Sequence, residues 1–369
     1  MSRSLPTTGR PLTGVIRVLV VDDSAVFRQS ITAALNSLDG IEVIGTAGDG
    51  VAAIEAIERL QPDLVTLDVE MPVRDGIETL REIRRRRWSV PVLMVSSLTK
   101  EGAAVTIEAL FLGAFDFIAK PTGGLVSGRQ TLRRSLDQKI GAIRGNASAD
   151  LQPSAVGPKP NRRLQPRRPP ATTTRPCRLV VIGLSTGGPA ALRTIVPRLN
   201  PDVHCPMIIV QHMPAGYCGS MADRLDEVSP IKVRLAAEGM PLRAGELIVA
   251  PGGRHTAVVG DAGGLSVTLT DHRSENGCRP SVDYTLRSAI AAVGGEMLVT
   301  ILTGMGKDGL AGCTAAKDLG ATIYAQDQTS SAVYGMPRAV IEAGLADRTL
   351  ALGAVAPAIN RYLRRSGGG

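Results

Sequence analysis

An α/β protein built from two parallel-sheet domains is predicted by three observations. Short apolar runs alternate with helical patterns through both halves of the chain, an acid-free proline-rich stretch separates the halves, and polar residues recur where the apolar runs end. Such alternation implies parallel sheets with right-handed crossovers. At 369 residues the chain is too long for one ordinary core and fits two domains of common size. Val, Ile, Leu, Ala and Gly are abundant, whereas aromatic residues make up 3%.

The division expected is a flexible N-terminus at 1–14, a first domain at 15–136, a basic Pro-rich linker at 137–175 and a second domain at 176–365. From Leu151 to Arg175 the linker has no acidic residue, many prolines and almost no apolar period. It cannot bury a core, and its positive charges repel one another, so it is read as extended.

In the first domain the apolar runs Ile16–Val21, Ile41–Ala47, Leu64–Leu67, Val92–Val95 and Phe115–Ala119 are read as five strands. The helix after the first carries Phe27, Ile31 and Leu35 on one face, with Ser24 as its N-cap. Ligands of such sheets bind outside the carboxyl ends of the strands, near the switch point. The polar residues fall there: Asp22 and Asp23 end the first strand, Asp68 the third, Ser96 the fourth and Lys120 the fifth. Three convergent carboxylates repel and call for a cation, and hard oxygen ligands with room for water suit Mg²⁺. One carboxylate could then attack a phosphoryl donor while Lys120 and the Ser96 hydroxyl contact the product oxygens. Pro121 could fix the lysine loop, a cis bond being one way to do it.

The segments VLVVDDSAVFR, LVTLDVEMPVRDGIETL, VLMVSS and GAFDFIAKP resemble response-regulator receiver domains over about residues 15–125. The resemblance implies a five-stranded (βα)5 fold with Asp68 phosphorylated by a histidine kinase. It also implies Mg²⁺ held by Asp22, Asp23, Asp68 and the backbone carbonyl of Glu70, Ser96 as the switch hydroxyl and Lys120 as the phosphate contact. The Glu70 side chain is expected at the site mouth.

The second domain opens CRLVVIGLSTGGPAALRTI, a strand, a glycine turn and a helix. One reading is a dinucleotide loop, but Gly183, Gly187 and Gly188 miss the G-x-G-x-x-G register and no acidic ribose partner follows. The other is G-x-S-x-G, which exposes Ser185 between strand and helix, with Pro189 tolerated in the first turn. A serine nucleophile needs a base and an orienting acid. Of four histidines, His204 and His272 lie in polar, loop-like stretches, and His255 begins a predicted strand as a structural or pocket-lining residue. His212 directly follows the apolar strand MIIVQ and should emerge at the same sheet edge as Ser185. The strand MLVTIL places Asp308 at a third strand end, where its alternative role is to N-cap the following helix. The order Ser185, His212, Asp308 differs from that of α/β-hydrolases. Backbone amides of Thr186 and Met305 are candidate oxyanion donors.

These segments, with QHMPAGYC and RPSVDYTLRSAI, resemble the catalytic domain of chemotaxis protein-glutamate methylesterases over about residues 178–363. With the receiver and linker in front, the whole chain matches that family's architecture. The resemblance implies a doubly wound α/β catalytic domain with a mainly parallel sheet and the catalytic residues Ser185, His212 and Asp308. It implies demethylation of glutamate methyl esters, and deamidation of specific glutamines, on chemoreceptors, with no cofactor for the hydrolysis. Arg279 is a candidate for steering acidic receptor segments. The unphosphorylated receiver is expected to cover the Ser185 groove, and phosphorylation at Asp68 to release it.

Composition excludes other classes. The charge of +8 could suggest nucleic acid, but the excess sits in the linker and in Arg84–Arg87, without a helix-turn-helix, zinc finger or aromatic-basic platform. That arginine run is read as a solvated face. No run of about 18 apolar residues predicts a membrane span, and the N-terminus has no secretory h-region. Five cysteines, odd in number and without CxxC spacing, read as reduced thiols, so a cytoplasmic location is expected.

Overall fold

The computed structural model describes residues 14–97, 99–121, 125–149, 176–261 and 264–366; side chains of 125–127, 145–149 and 261 are outside the description. The expected segment 1–13 and residues 150–175 of the linker lie outside the described residues.

The first domain runs β1 (Ile16–Val21), α1 (Ala25–Asn36), β2 (Ile41–Ala47), α2 (Gly50–Leu60), β3 (Leu64–Asp68), α3 (Gly76–Arg85), β4 (Val92–Ser96), α4 (Lys100–Phe111), β5 (Asp116–Ala119) and α5 (Leu125–Ala149). Its strands pair in the order β2-β1-β3-β4-β5, all parallel. β3 and β4 are buried at every position, as apolar runs covered on both faces require. Helix starts are set by side chains: Ser24 accepts from Phe27 N–H, Asp49 from Val51 and Ala52, and Asp75 forms a capping box with Glu78. Each such cap is worth about 1 kcal/mol.

Three expectations change. Helix α5 continues to Ala149, so 137–149 is helix rather than linker. Its physical reason is an apolar stripe, Leu132, Leu136, Ile140 and Ile143, all buried against the sheet. The Lys120–Pro121 bond is not cis; the cis X-Pro bond among the described residues is Arg279–Pro280. Arg84 is not a solvated charge: its guanidinium donates to the carbonyls of Trp88, Val90 and Gly113, while Arg85 and Arg86 pair with Glu82.

The second domain runs β6 (Leu179–Leu184), α6 (Gly188–Ile195), a 3-10 turn (Val196–Arg198), β7 (Met207–Gln211), α7 (Ala215–Val228), β8 (Lys232–Leu235) and β9 (Glu246–Val249). It continues with the antiparallel hairpin β10 (His255–Asp261) and β11 (Gly264–Thr270), then α8 (Val282–Val293), β12 (Met297–Ile301) and α9 (Leu310–Asp318). β13 (Thr322–Gln326), α10 (Met336–Glu342), β14 (Arg348–Leu350) and α11 (Leu352–Ser366) complete it. Seven parallel strands lie in the order β14-β13-β12-β6-β7-β9-β8. The chain therefore starts in the middle at β6 and winds outward both ways, which puts the switch point between β6 and β12.

The two domains are in contact. Phe117 on β5 lies against Tyr217 on α7 with ring centroids 4.3 Å apart. Tyr217 Oη donates to the Ser97 carbonyl at 3.4 Å, and Arg193 on α6 donates to the carbonyl of Phe111. Lys139 on α5 pairs with Asp116 at 2.5 Å and reaches Thr186 Oγ1 at 3.5 Å. The face of the first domain made by α4, β5 and α5 is thus set beside the turn that follows β6.

Candidate functional site

Two sites form at strand ends, one in each sheet. In the first domain Asp22, Asp23 and Asp68 bring carboxylate oxygens within 4.8 Å of one another. Lys120 Nζ lies 2.6 Å from Asp68 Oδ2 and 3.0 Å from Asp22 Oδ2. Asp22 is fully buried, and its Oδ2 has the lysine ion pair but no well-formed hydrogen bond. Burial, reinforced by neighbouring Asp22 and opposed by Lys120, raises the Asp68 pKa to about 6. Three carboxylates this close, one with an incompletely satisfied oxygen, have the hard-donor chemistry that fits Mg²⁺. Ser96 is at the end of β4 as expected, yet its hydroxyl points inward, donating to the Gly102 carbonyl at 3.2 Å and accepting from Thr106 Oγ1 at 2.5 Å. Glu70 is exposed beside the site.

The second site is built by three neighbouring strands. Ser185 follows β6, His212 follows β7 and Asp308 follows β12; parallel pairing aligns Leu184 with Gln211 and Ile301 with Gly183. The Ser185 turn is tight for stated reasons. Ser185 N–H donates to Thr303 O at 3.0 Å, and Gln211 Nε2 donates to Ser185 O at 2.9 Å. Gly187 has φ +80°, and a Cβ on Gly304 would come within 2.9 Å of Ser185 Cβ and 2.4 Å of Met336 Sδ. Glycine is therefore required where two strand-end loops meet.

His212 Nε2 is 2.7 Å from Asp308 Oδ2. Asp308 also accepts from Val282 N–H at 2.7 Å, Ser281 Oγ at 2.8 Å, Asn276 Nδ2 at 2.9 Å and Asp283 N–H at 3.2 Å. It does not cap α9, whose N-cap is Gly309; it sits at the N-terminus of α8 instead, among that helix's free amides. Burial opposes its charge, but these donors, led by His212, hold it well below the usual carboxylate range. Burial likewise disfavours the charged His212 ring, yet Asp308 and the Cys278 sulfur outweigh it and raise its pKa to about 9. Cys278 Sγ is 3.4 Å from His212 Nδ1, while Ser185 Oγ makes no hydrogen bond among the described residues.

Neither the Thr186 nor the Met305 amide has an acceptor among the described residues; Thr186 is buried and Met305 is 41% exposed. Arg279 is exposed, with Nη1 3.2 Å from the carbonyls of Asp271 and His272. The other histidines stand apart. His204 and His272 are exposed, and His255 is fully buried, stacked on Tyr284 and bonded to Arg273 O and Ser281 N–H. Asn276, Ser281 and Cys278 were not singled out in the sequence. Ser281 lies inside the RPSVD segment, whereas the only signal for Asn276 and Cys278 was their place in a turn beside it.

The chain matches the family model of the CheB methylesterase over residues 180–359 and that of the response regulator receiver domain over 18–125. A Nocardioides sp. protein named protein-glutamate methylesterase/protein-glutamine glutaminase is 43% identical over 95% of this chain and 96% of its own. A Symbiobacterium thermophilum protein of the same name is 46% identical over 94% of this chain and 96% of its own. The crystal structure of the Thermotoga maritima CheB methylesterase catalytic domain is 37% identical, covering 51% of this chain and 98% of that one, with a TM-score of 0.49. With a receiver in front of a methylesterase domain, and relatives of this similarity over nearly its whole length, the chain belongs to the CheB protein-glutamate methylesterase/protein-glutamine glutaminase family.

Proposed function

We propose that this chain is a phosphorylation-activated hydrolase that removes methyl groups from glutamate methyl esters on chemoreceptors, with Ser185, His212 and Asp308 as its catalytic residues. The observation that carries the residue assignment is the His212–Asp308 contact at 2.7 Å, formed at the strand end next to Ser185. With Nε2 held by Asp308, Nδ1 is the ring nitrogen left to take a proton. Ser185 Oγ attacks the ester carbonyl carbon and gives its proton to Nδ1; the C–O bond to methoxide then breaks, and the ring proton leaves with it as methanol. Water repeats the sequence on the acyl-enzyme and returns Ser185 and free glutamate. A glutamine amide enters the same route with ammonia as the leaving group. The free amides of Thr186 and Met305 would receive the developing oxyanion.

Asp68 would be the phosphoacceptor, with a histidine kinase as the source of the phosphoryl group. Asp22, Asp23, Asp68 and the Glu70 carbonyl would hold Mg²⁺, which when bound offsets the charge of the carboxylates and the incoming phosphoryl group. Lys120 pairs with Asp68 already and is placed to contact phosphoryl oxygens. Phosphorylation would favour undocking of the face that carries Phe117 and Lys139 and open the Ser185 turn. Among the described residues no helix is long and apolar enough to cross a membrane, and a cytoplasmic enzyme acting on the cytoplasmic part of its receptors fits that.

Methanol release from methylated receptor membranes, measured with and without a small phosphodonor, tests the proposal. Ser185→Ala should lower the rate by about 10³-fold or more. A Ser185→Ala chain that keeps releasing methanol would refute the assignment.

A further inference from the structure

The base nitrogen that Ser185 requires already has a partner in the structure. Cys278 Sγ lies 3.4 Å from His212 Nδ1, and it arrives there on a tight turn. Glu275 and Cys278 pair through reciprocal backbone bonds at 3.1 and 2.8 Å across Asn276 and Gly277, both at positive φ. Arg287 holds Glu275 at 2.6 Å. The same turn sends Asn276 Nδ2 to Asp308 Oδ1 and to Asp283 Oδ2, each at 2.9 Å. One four-residue turn therefore touches both members of the His212–Asp308 pair.

We infer that Cys278 is a positioning residue for the base: its sulfur holds Nδ1 of His212 in the resting enzyme, in competition with the Ser185 hydroxyl, and so sets how much of the base is free. The inference rests on His212 being the base of the proposed reaction. A thiol proton shared with Nδ1 occupies the lone pair that must accept the serine proton. A thiolate there stabilises the imidazolium, which cannot accept it at all. Both effects act against the neutral, unoccupied ring.

The groups that face this ring are few. Asp308 approaches Nε2 from the loop after β12, with Asp283 of α8 behind it, and Cys278 approaches Nδ1 from the turn before α8. From the receiver side, Lys139 and its partner Asp116 come no closer than Thr186 among the contacts described. Among the described residues, Cys278 alone meets Nδ1, the nitrogen that the proposed reaction uses. It is also half-exposed, whereas Cys177, Cys205, Cys218 and Cys313 are buried.

The test is the pH profile of kcat/KM for methanol release by the full chain. In Cys278→Ala the acid limb, where activity is lost as His212 gains its proton, should move about one unit to lower pH, with KM unchanged within about twofold. At a fixed pH on that limb the variant is then about tenfold faster than the unmodified enzyme. Cys278→Ser, which keeps a donor near Nδ1 without the sulfur, should show the same displacement with a lower plateau than Cys278→Ala. Superimposable profiles for the unmodified enzyme and Cys278→Ala would overturn the inference while leaving the esterase assignment intact; activity in Ser185→Ala would overturn the assignment instead. A second measurement needs no change at Cys278. Iodoacetamide on the native full chain should label Cys278 alone, and His212→Gln should slow that labelling about tenfold at a fixed pH by removing the ring nitrogen that engages the thiol. Equal labelling rates in the two chains would overturn the inference as well.

Discussion

Asp68 and Asp308 are both almost fully buried carboxylates at the carboxyl end of a parallel strand, and their pKa values are moved in opposite directions, Asp68 up and Asp308 down. Asp308 is surrounded by donors: two helix amides, a serine hydroxyl, an asparagine amide and the His212 ring. Asp68 has the amide of Val69 and Lys120, and Asp22 beside it adds like charge. Burial penalises both charges equally in kind, so the donors decide. The carboxylate proposed to orient a histidine is held ionised by its many donors. The carboxylate proposed to accept a phosphoryl group is left with fewer donors and a like charge beside it.

The largest effect that could break this comparison is on catalysis. Asp308→Asn should lower methanol release by about 10³- to 10⁴-fold, because the amide cannot hold the Nε2–H tautomer or the charged ring. A loss below about tenfold would show that Asp308 is only a structural cap for α8.

The second is on switching. Asp68→Asn should leave basal methanol release unchanged and abolish the increase seen with a phosphodonor. Full activation in that variant would remove Asp68 from the proposed mechanism.

The third separates the two sites by pH. The Asp68 pKa is raised above its ordinary 3.8, so its contribution to stability is present below that value and is lost as pH rises through about 6. Mg²⁺ should therefore raise Tm more at pH 7 than at pH 4.5, and the gain should shrink in Asp68→Asn. The His212 pKa is raised above its ordinary 6.5, so the stabilisation from its pair with Asp308 is full below 6.5 and lost as pH rises through about 9. The Tm difference between the unmodified chain and His212→Gln should narrow over that upper window alone, and no narrowing there would contradict the pairing.

The smallest concerns the contact between the domains. Arg193→Ala removes the hydrogen bond to the Phe111 carbonyl, an interaction worth about 1 kcal/mol. Basal methanol release should rise about three- to fivefold, with a correspondingly smaller activation by the phosphodonor. An unchanged basal rate would mean that this contact does not hold the receiver in place.

Much of this was legible in the chain because it is local. Four of the five apolar runs ended at Asp22, Asp68, Ser96 and Lys120, within a residue or two of the strands found, and Ser24 caps α1 as its side chain allows. Ser185, His212 and Asp308 could be placed at strand ends because the carboxyl end of a parallel strand is a position that a sequence marks. The end of α5 was misjudged because Gly141 and a basic composition obscured an apolar stripe that only the sheet reveals as buried. Arg84 shows the same limit, since a charge run gives no sign of which member meets three carbonyls.

By itself the sequence determined two α/β domains, the family, and which residue types stand at each strand end, since periodicity, caps and glycine turns are properties of neighbours along the chain. The tertiary structure decided what those residues touch. Asp308 was read as the acid beside His212, with a cap of the following helix as its alternative role; its further partners at the start of α8 appear only because the order of strands brings β12 beside β6 and the start of α8 over both. Cys278 lies 66 residues from His212, a separation that no local pattern spans. Contacts at that range depend on how the sheet is wound, and winding is fixed only when the whole core closes.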